Sequence, residues 1–126
     1  MSAVRLVRSD GLAAAPYAYA SRVEAGAELI FLAGACPLAD DGSTVAVGDV
    51  AGQARRCVET MLVALDAAGA ALADVASTRV LVASSDRRDL VAAWDVVQAA
   101  FGDHDVPSTL MGVAALGYPD QLVEIE

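Results

Sequence analysis

Two short stretches near the start, Val4 to Arg8 and Tyr19 to Glu24, alternate apolar with polar residues, the period of a strand that keeps one face wet. Leu29-Ile30-Phe31-Leu32-Ala33 is instead a continuous apolar run ending at Gly34, and it predicts a third strand buried on both faces. Residues 35–48 hold Pro37, Asp40, Asp41, Gly42 and Gly48, a density of turn formers that reads as a long loop. The period then lengthens. Val50, Ala54, Cys57, Val58, Met61, Leu62 and Leu65 recur three and four residues apart, with Asp49 placed to cap the first turn and Gly69 to end the last.

Ser77 to Ala83 (STRVLVA) returns to strand chemistry after a short connection, so strand, helix and strand should form a right-handed crossover. Asp86 opens a second helix whose apolar stripe is Leu90, Val91, Trp94, Val97 and Phe101, and Gly102 closes it. Thr109 to Leu116 and Gln121 to Glu126 are read as closing strands around Gly117-Tyr118-Pro119-Asp120. The predicted order is βββαβαββ, an α+β fold with a mixed sheet and both helices on one face. Two helices leave the other face bare, and a closed oligomer is the expected cover.

Composition sharpens this picture. At 126 residues the chain reads as one domain, residues 1–126, and folding should bury roughly two thirds of its unfolded surface. Apolar residues make up 56 % and mean hydropathy is +0.50, high even allowing for the many alanines, which predicts that some apolar surface meets another subunit. Charged residues interrupt every apolar run before membrane-spanning length, and Arg5, Arg8 and Asp10 make a poor secretory signal, so the expected location is cytoplasmic and no membrane partner is expected.

Charge and side-chain inventory exclude several classes. A net charge of −9 without a basic run argues against nucleic acid, which needs cations to neutralise phosphates. There is no lysine, so Schiff-base chemistry on a lysine amine and lysine-anchored pyridoxal phosphate are excluded. Cys36 and Cys57 lack CxxC spacing and His104 is the single histidine, so neither a disulfide framework nor a zinc site is expected, and no cofactor is called for.

Four ordered segments carry a resemblance: Ala15-Pro16-Tyr17; Phe31-Leu32-Ala33-Gly34-Ala35-Cys36-Pro37-Leu38; Gly48-Asp49 with Gln53 and Arg55; and Leu122-Val123-Glu124-Ile125-Glu126. Together they resemble the RidA/YjgF family of reactive-intermediate deaminases, also labelled endoribonuclease L-PSP, with its APY segment, (S/A)GQ(I/V)P loop, GD-initiated helix and (V/I)EIEA strand. The resemblance implies a chorismate-mutase-like fold, a barrel-like homotrimer, and clefts between subunits where imines or enamines such as 2-aminoacrylate are hydrolysed. In active members an arginine of a P-x-R-(S/T) segment grips the substrate carboxylate, the PY aromatic and the loop backbone line the cleft, and the first glutamate of EIE orients water.

Carried over residue by residue, Tyr17 matches the PY aromatic, Gly34 the loop glycine and Glu124 the water-orienting carboxylate. Ala33 stands where serine is frequent and Ala35 where glutamine is common. With one extra residue allowed in the last turn, Ser108 falls where the arginine belongs, and Trp94 replaces a frequent asparagine. The ligand-binding candidates are therefore Tyr17, Gly34, Ala35, Trp94 and Ser108, with Glu124 as the catalytic candidate. A neutral serine bond cannot match a bidentate arginine, so the ligand is expected to be less anionic than an amino-acid imine.

Glu124 beside a mostly apolar strand suits a general base, against the plainer reading of a solvated strand-edge acid. Cys36 would be a nucleophile only with an activating neighbour such as His104, and otherwise simply packs. Ser108 and His104 lack the orienting acid a triad needs. Arg79 is the one basic residue inside a predicted strand and reads as a salt-bridge partner or a replacement cation. Two functions follow: a hydrolase of neutral or weakly acidic imines or enamines, and a non-catalytic trimer that binds a small metabolite or another protein in the same cleft.

Overall fold

The computed structural model describes residues 2–126, with strands β1 (Val4–Val7), β2 (Ala20–Val23), β3 (Thr78–Val82), β4 (Ser108–Gly112) and β5 (Val123–Ile125), and helices α1 (Val50–Ala67) and α2 (Arg87–Phe101). The helices start where their caps require. Asp49 accepts from the Gly52 N–H at 2.9 Å and Asp86 from the Arg88 N–H at 2.9 Å, each satisfying one of the free donors of a first turn. Gly69 (φ 79°) follows α1 and Gly102 (φ 57°) closes α2 in backbone conformations that L side chains resist.

The strands form two sheets. β1 and β2 make an antiparallel hairpin, while β3 lies between parallel β4 and antiparallel β5. Val80 and Val82 of β3 with Val123 and Ile125 of β5 point to the helices and join Ala54, Cys57, Met61, Ala93 and Val97 in one core. Alternation then turns Arg79, Leu81, Glu124 and Glu126 to the opposite face. No helix among the described residues is long and apolar enough to cross a membrane.

The apolar run 29–33 departs from expectation: it is not a strand, and apart from Leu32, which packs partly buried against the core, it is exposed. Leu29 is 68 % exposed and Phe31 88 %, and the segment joins the ladder only afterwards, where Ala35 bridges Ile125 through bonds of 2.7 and 3.0 Å. Among the described residues no strand pairs with 29–33: β5 pairs with β3 and with Ala35, and β1 and β2 pair with each other. The observed order is therefore ββαβαββ. The crossover through α1 loses its first strand, and the parallel unit present is β3–α2–β4. The strand read as Thr109 to Leu116 runs from Ser108 to Gly112, and Leu62 and Val91, placed on the helix stripes, are exposed.

Candidate functional site

Glu124 lies mid-strand in β5 on the face turned from the helices, half-buried, and three neighbours define its position. Its Oε1 accepts from Cys36 Sγ at 3.1 Å and from Gln121 Nε2 at 3.2 Å. The rest of the carboxylate lies over Gly34, where a Cβ would come within 2.8 Å of Glu124 Cδ and 3.1 Å of Cγ. Only a glycine leaves room there for the carboxylate. The bridge at Ala35 produces this arrangement, because pairing Ala35 with Ile125 sets Gly34 and Cys36 on either side of the residue that faces β5.

Gln121 is 4 % exposed and satisfied throughout: its Oε1 accepts from the Tyr118 N–H at 3.0 Å, and its Nε2 also donates to the Val123 carbonyl at 3.1 Å. Burial, and then the bond to Glu124, push the Cys36 thiol up to about 11. It stays protonated near neutrality, which suits a donor and not a nucleophile. His104 is elsewhere, with Nε2 at 2.8 Å from the Val75 carbonyl and its ring stacked on Phe101.

The remaining candidates fall in a second group. Tyr17 meets Trp94 edge-on with ring centroids 6.4 Å apart, and Tyr19 at 5.7 Å. Ser108 donates to the Val106 carbonyl at 2.7 Å within its own turn and shares a crevice of about 10 Å³ with Trp94 and Pro16, too small for a ligand. Tyr17, Ala35 and Ser108 also line a cavity of about 1090 Å³ between the hairpin, the extended segment 29–33 and the sheet, whereas Gly34, Trp94 and Glu124 stand outside its wall. One protomer thus brings Gly34 to Glu124 and Tyr17 to Trp94, but does not join the two groups.

Ser108 and His104 do not address each other, and Arg79 is paired with Glu126. The sequence reading missed Gln121, three residues before Glu124, and missed Cys36 as a partner of that carboxylate. The EIE strand facing a Gly-x-Cys loop was the available signal, and it needed the register to be read.

A helix pair on a mixed sheet, with a strand carboxylate set over a loop glycine, defines a small α+β protein with a candidate carboxylate site. The endoribonuclease L-PSP pattern matches residues 10–126, and the chain belongs to that family, the RidA/YjgF proteins. It is 31 % identical over 111 residues to the 3-aminoacrylate deaminase RutC of Acinetobacter baylyi, covering 88 % of this chain and 83 % of that one. A member of the YjgF/YER057c/UK114 family from Mycobacterium tuberculosis matches at 31 % identity with a TM-score of 0.63, over 97 % of this chain and 94 % of the other. The Rid family protein YyfB of Yersinia pestis, at 24 % identity, shares the fold with a TM-score of 0.90 over 98 % of this chain and 95 % of that one.

Proposed function

We propose that this chain forms a homotrimer whose clefts hydrolyse a neutral or weakly acidic imine or enamine, with Glu124 orienting the attacking water. The carrying observation is the placement of the Glu124 carboxylate over Gly34, held by two donors, in a family that includes a 3-aminoacrylate deaminase. Water adds to the C=N carbon, its proton passes to the carboxylate and on to nitrogen, and the resulting carbinolamine releases ammonia and leaves a carbonyl compound.

Leu29, Ile30, Phe31, Leu62 and Val63 are large apolar side chains left in water by one protomer, and exposed patches of that kind mark contact surfaces. A neighbouring subunit against segment 29–33 would narrow the 1090 Å³ cavity, which exceeds the ~300–1,000 Å³ of ordinary ligand sites, and would supply the second half of a divided site. The ligand class follows from Ser108, whose hydroxyl is turned to Val106 and offers no charge to a carboxylate, while Arg79 is committed to Glu126.

An ammonia-release assay on neutral imines and on 2-aminoacrylate tests this. Wild type should turn over the neutral substrates and Glu124→Gln should not. Equal activity in the two would remove Glu124 from the chemistry. Ligand-dependent rise of the melting temperature without any turnover would favour the non-catalytic binding trimer.

A further inference from the structure

We infer that Cys36 and Gln121 form a two-donor clamp on Oε1 of Glu124, which leaves Oε2, the oxygen over Gly34, as the one that acts on water. The inference rests on the reading of Glu124 as the working carboxylate, and it assigns positioning roles to two residues with no chemistry of their own. Gln121 cannot turn its amide around, because its Oε1 is committed to the Tyr118 N–H and its Nε2 to both Val123 and Glu124. A flip would set an amide oxygen against two acceptors.

The thiol has two acceptors in reach, the Gly34 carbonyl at 3.5 Å and Glu124 Oε1 at 3.1 Å. The shorter bond to the charged oxygen is the stronger. Because burial and Glu124 itself hold Cys36 protonated to about 11, the donor persists across the range in which an enzyme works. Cys57 lies behind this pair as a buried thiol that is likewise pushed up. On the same sheet face, Arg79 and Glu126 neutralise each other. Among the described residues no arginine reaches Glu124, so its orientation is set by these two donors and by its packing over Gly34. A carboxylate with one oxygen bound by two donors and the other without a protein donor among the described residues is left to hold water through that second oxygen, and orientation of that kind carries much of a barrier.

The test has two independent arms. In the first, the pH dependence of Cys36 alkylation by iodoacetamide is compared in wild type and Glu124→Gln; loss of the neighbouring charge should lower the thiol's midpoint by about a unit. In the second, imine hydrolysis is measured for Cys36→Val, which removes the donor, and Cys36→Ser, which keeps one. The valine variant should lose on the order of tenfold in kcat with KM unchanged. Serine should restore most of it, which a packing role would not. Identical alkylation midpoints, or full kcat in Cys36→Val where Glu124→Gln is inactive, would overturn the clamp. A shifted midpoint in a wild type that turns over no imine would instead overturn the hydrolytic reading and the role given to Oε2, with the contact itself upheld.

Discussion

Gln53 on α1 accepts the Leu122 N–H at 2.7 Å and donates to the Asp120 carbonyl at 2.9 Å, so one fully buried amide fastens the first helix to the turn that delivers Gln121 and Glu124. A helix of this length presents its side chains at fixed heights, and Gln53, one turn in, is at the height where the last strand begins. The site is thereby referenced to the core rather than to the surface loop it adjoins.

Replacing Gln53 with leucine should cost about 1–3 kcal/mol, because it removes a fully buried amide and leaves the Leu122 N–H and the Asp120 carbonyl, in part-buried surroundings, without that partner. Urea unfolding should show the loss as a lower midpoint with unchanged slope. A change within the scatter of surface substitutions would mean that water replaces the amide.

Gly34→Ala separates stability from function. Gly34 has no positive φ, so alanine fits the backbone, but its Cβ would meet the Glu124 carboxylate. Unfolding free energy should change by less than about 1 kcal/mol, while imine hydrolysis falls to the level of Glu124→Gln. Full activity would show that the carboxylate works from another position.

Phe31 is 88 % exposed in the protomer, so Phe31→Asp should leave circular dichroism and secondary structure intact. Light scattering of wild type should give about three times 12.8 kDa, and the aspartate variant should give a smaller species because a charge would have to be buried at the contact. A trimer that persists in the variant would move the interface away from segment 29–33.

The raised thiols predict an alkaline limit. Cys36 has its folded value near 11 against an ordinary 9.0, so the folded chain binds this proton more tightly and the resulting stability is complete below about pH 9 and lost as pH rises through 11. Denaturant midpoints under reducing conditions should fall over that window, and less steeply in Cys36→Val. Parallel curves for the two proteins would show that the thiol makes no such contribution.

How much of this was legible in sequence depends on how local each signal is. Asp49, Asp86, Gly69 and Gly102 bound the helices through contacts within a turn or so, and the periodicity identified Ala54, Cys57, Met61 and Val97 as core. Leu29 to Ala33 failed because a continuous apolar run reports a need for burial and not the presence of a partner, and one protomer supplies one only for Leu32. Glu124 and Gly34 were singled out as candidates from their motifs, and the structure sets one over the other. Cys36 and Gln121 were not assigned to Glu124, since a thiol bond across a bridge and a bond three residues back exist only once the register of Ala35 on Ile125 is fixed.

Ser108→Arg tests the proposal that Ser108 stands where the family resemblance places a carboxylate-gripping arginine. Ser108 is the first residue of β4, paired with Thr78 of β3, and its hydroxyl is turned back to Val106, so wild type should act poorly on 2-aminoacrylate. A bidentate guanidinium would supply two charge-assisted bonds of ~1.5–3 kcal/mol each to the substrate carboxylate. If Tyr17, Gly34 and Glu124 still compose a site between subunits, the arginine variant should raise turnover of 2-aminoacrylate in a coupled assay while leaving neutral imines little changed. Trp94 lines the same narrow crevice as Ser108, which leaves little room for a longer side chain on that side. The Ser108→Arg, Trp94→Asn double variant should therefore exceed the single, since asparagine removes the indole while keeping a polar group toward the guanidinium. No gain in either variant would show that the defect lies elsewhere in the cleft. High wild-type activity on 2-aminoacrylate would show that another cation holds the carboxylate, and Arg79, released from Glu126, would be the group to replace next.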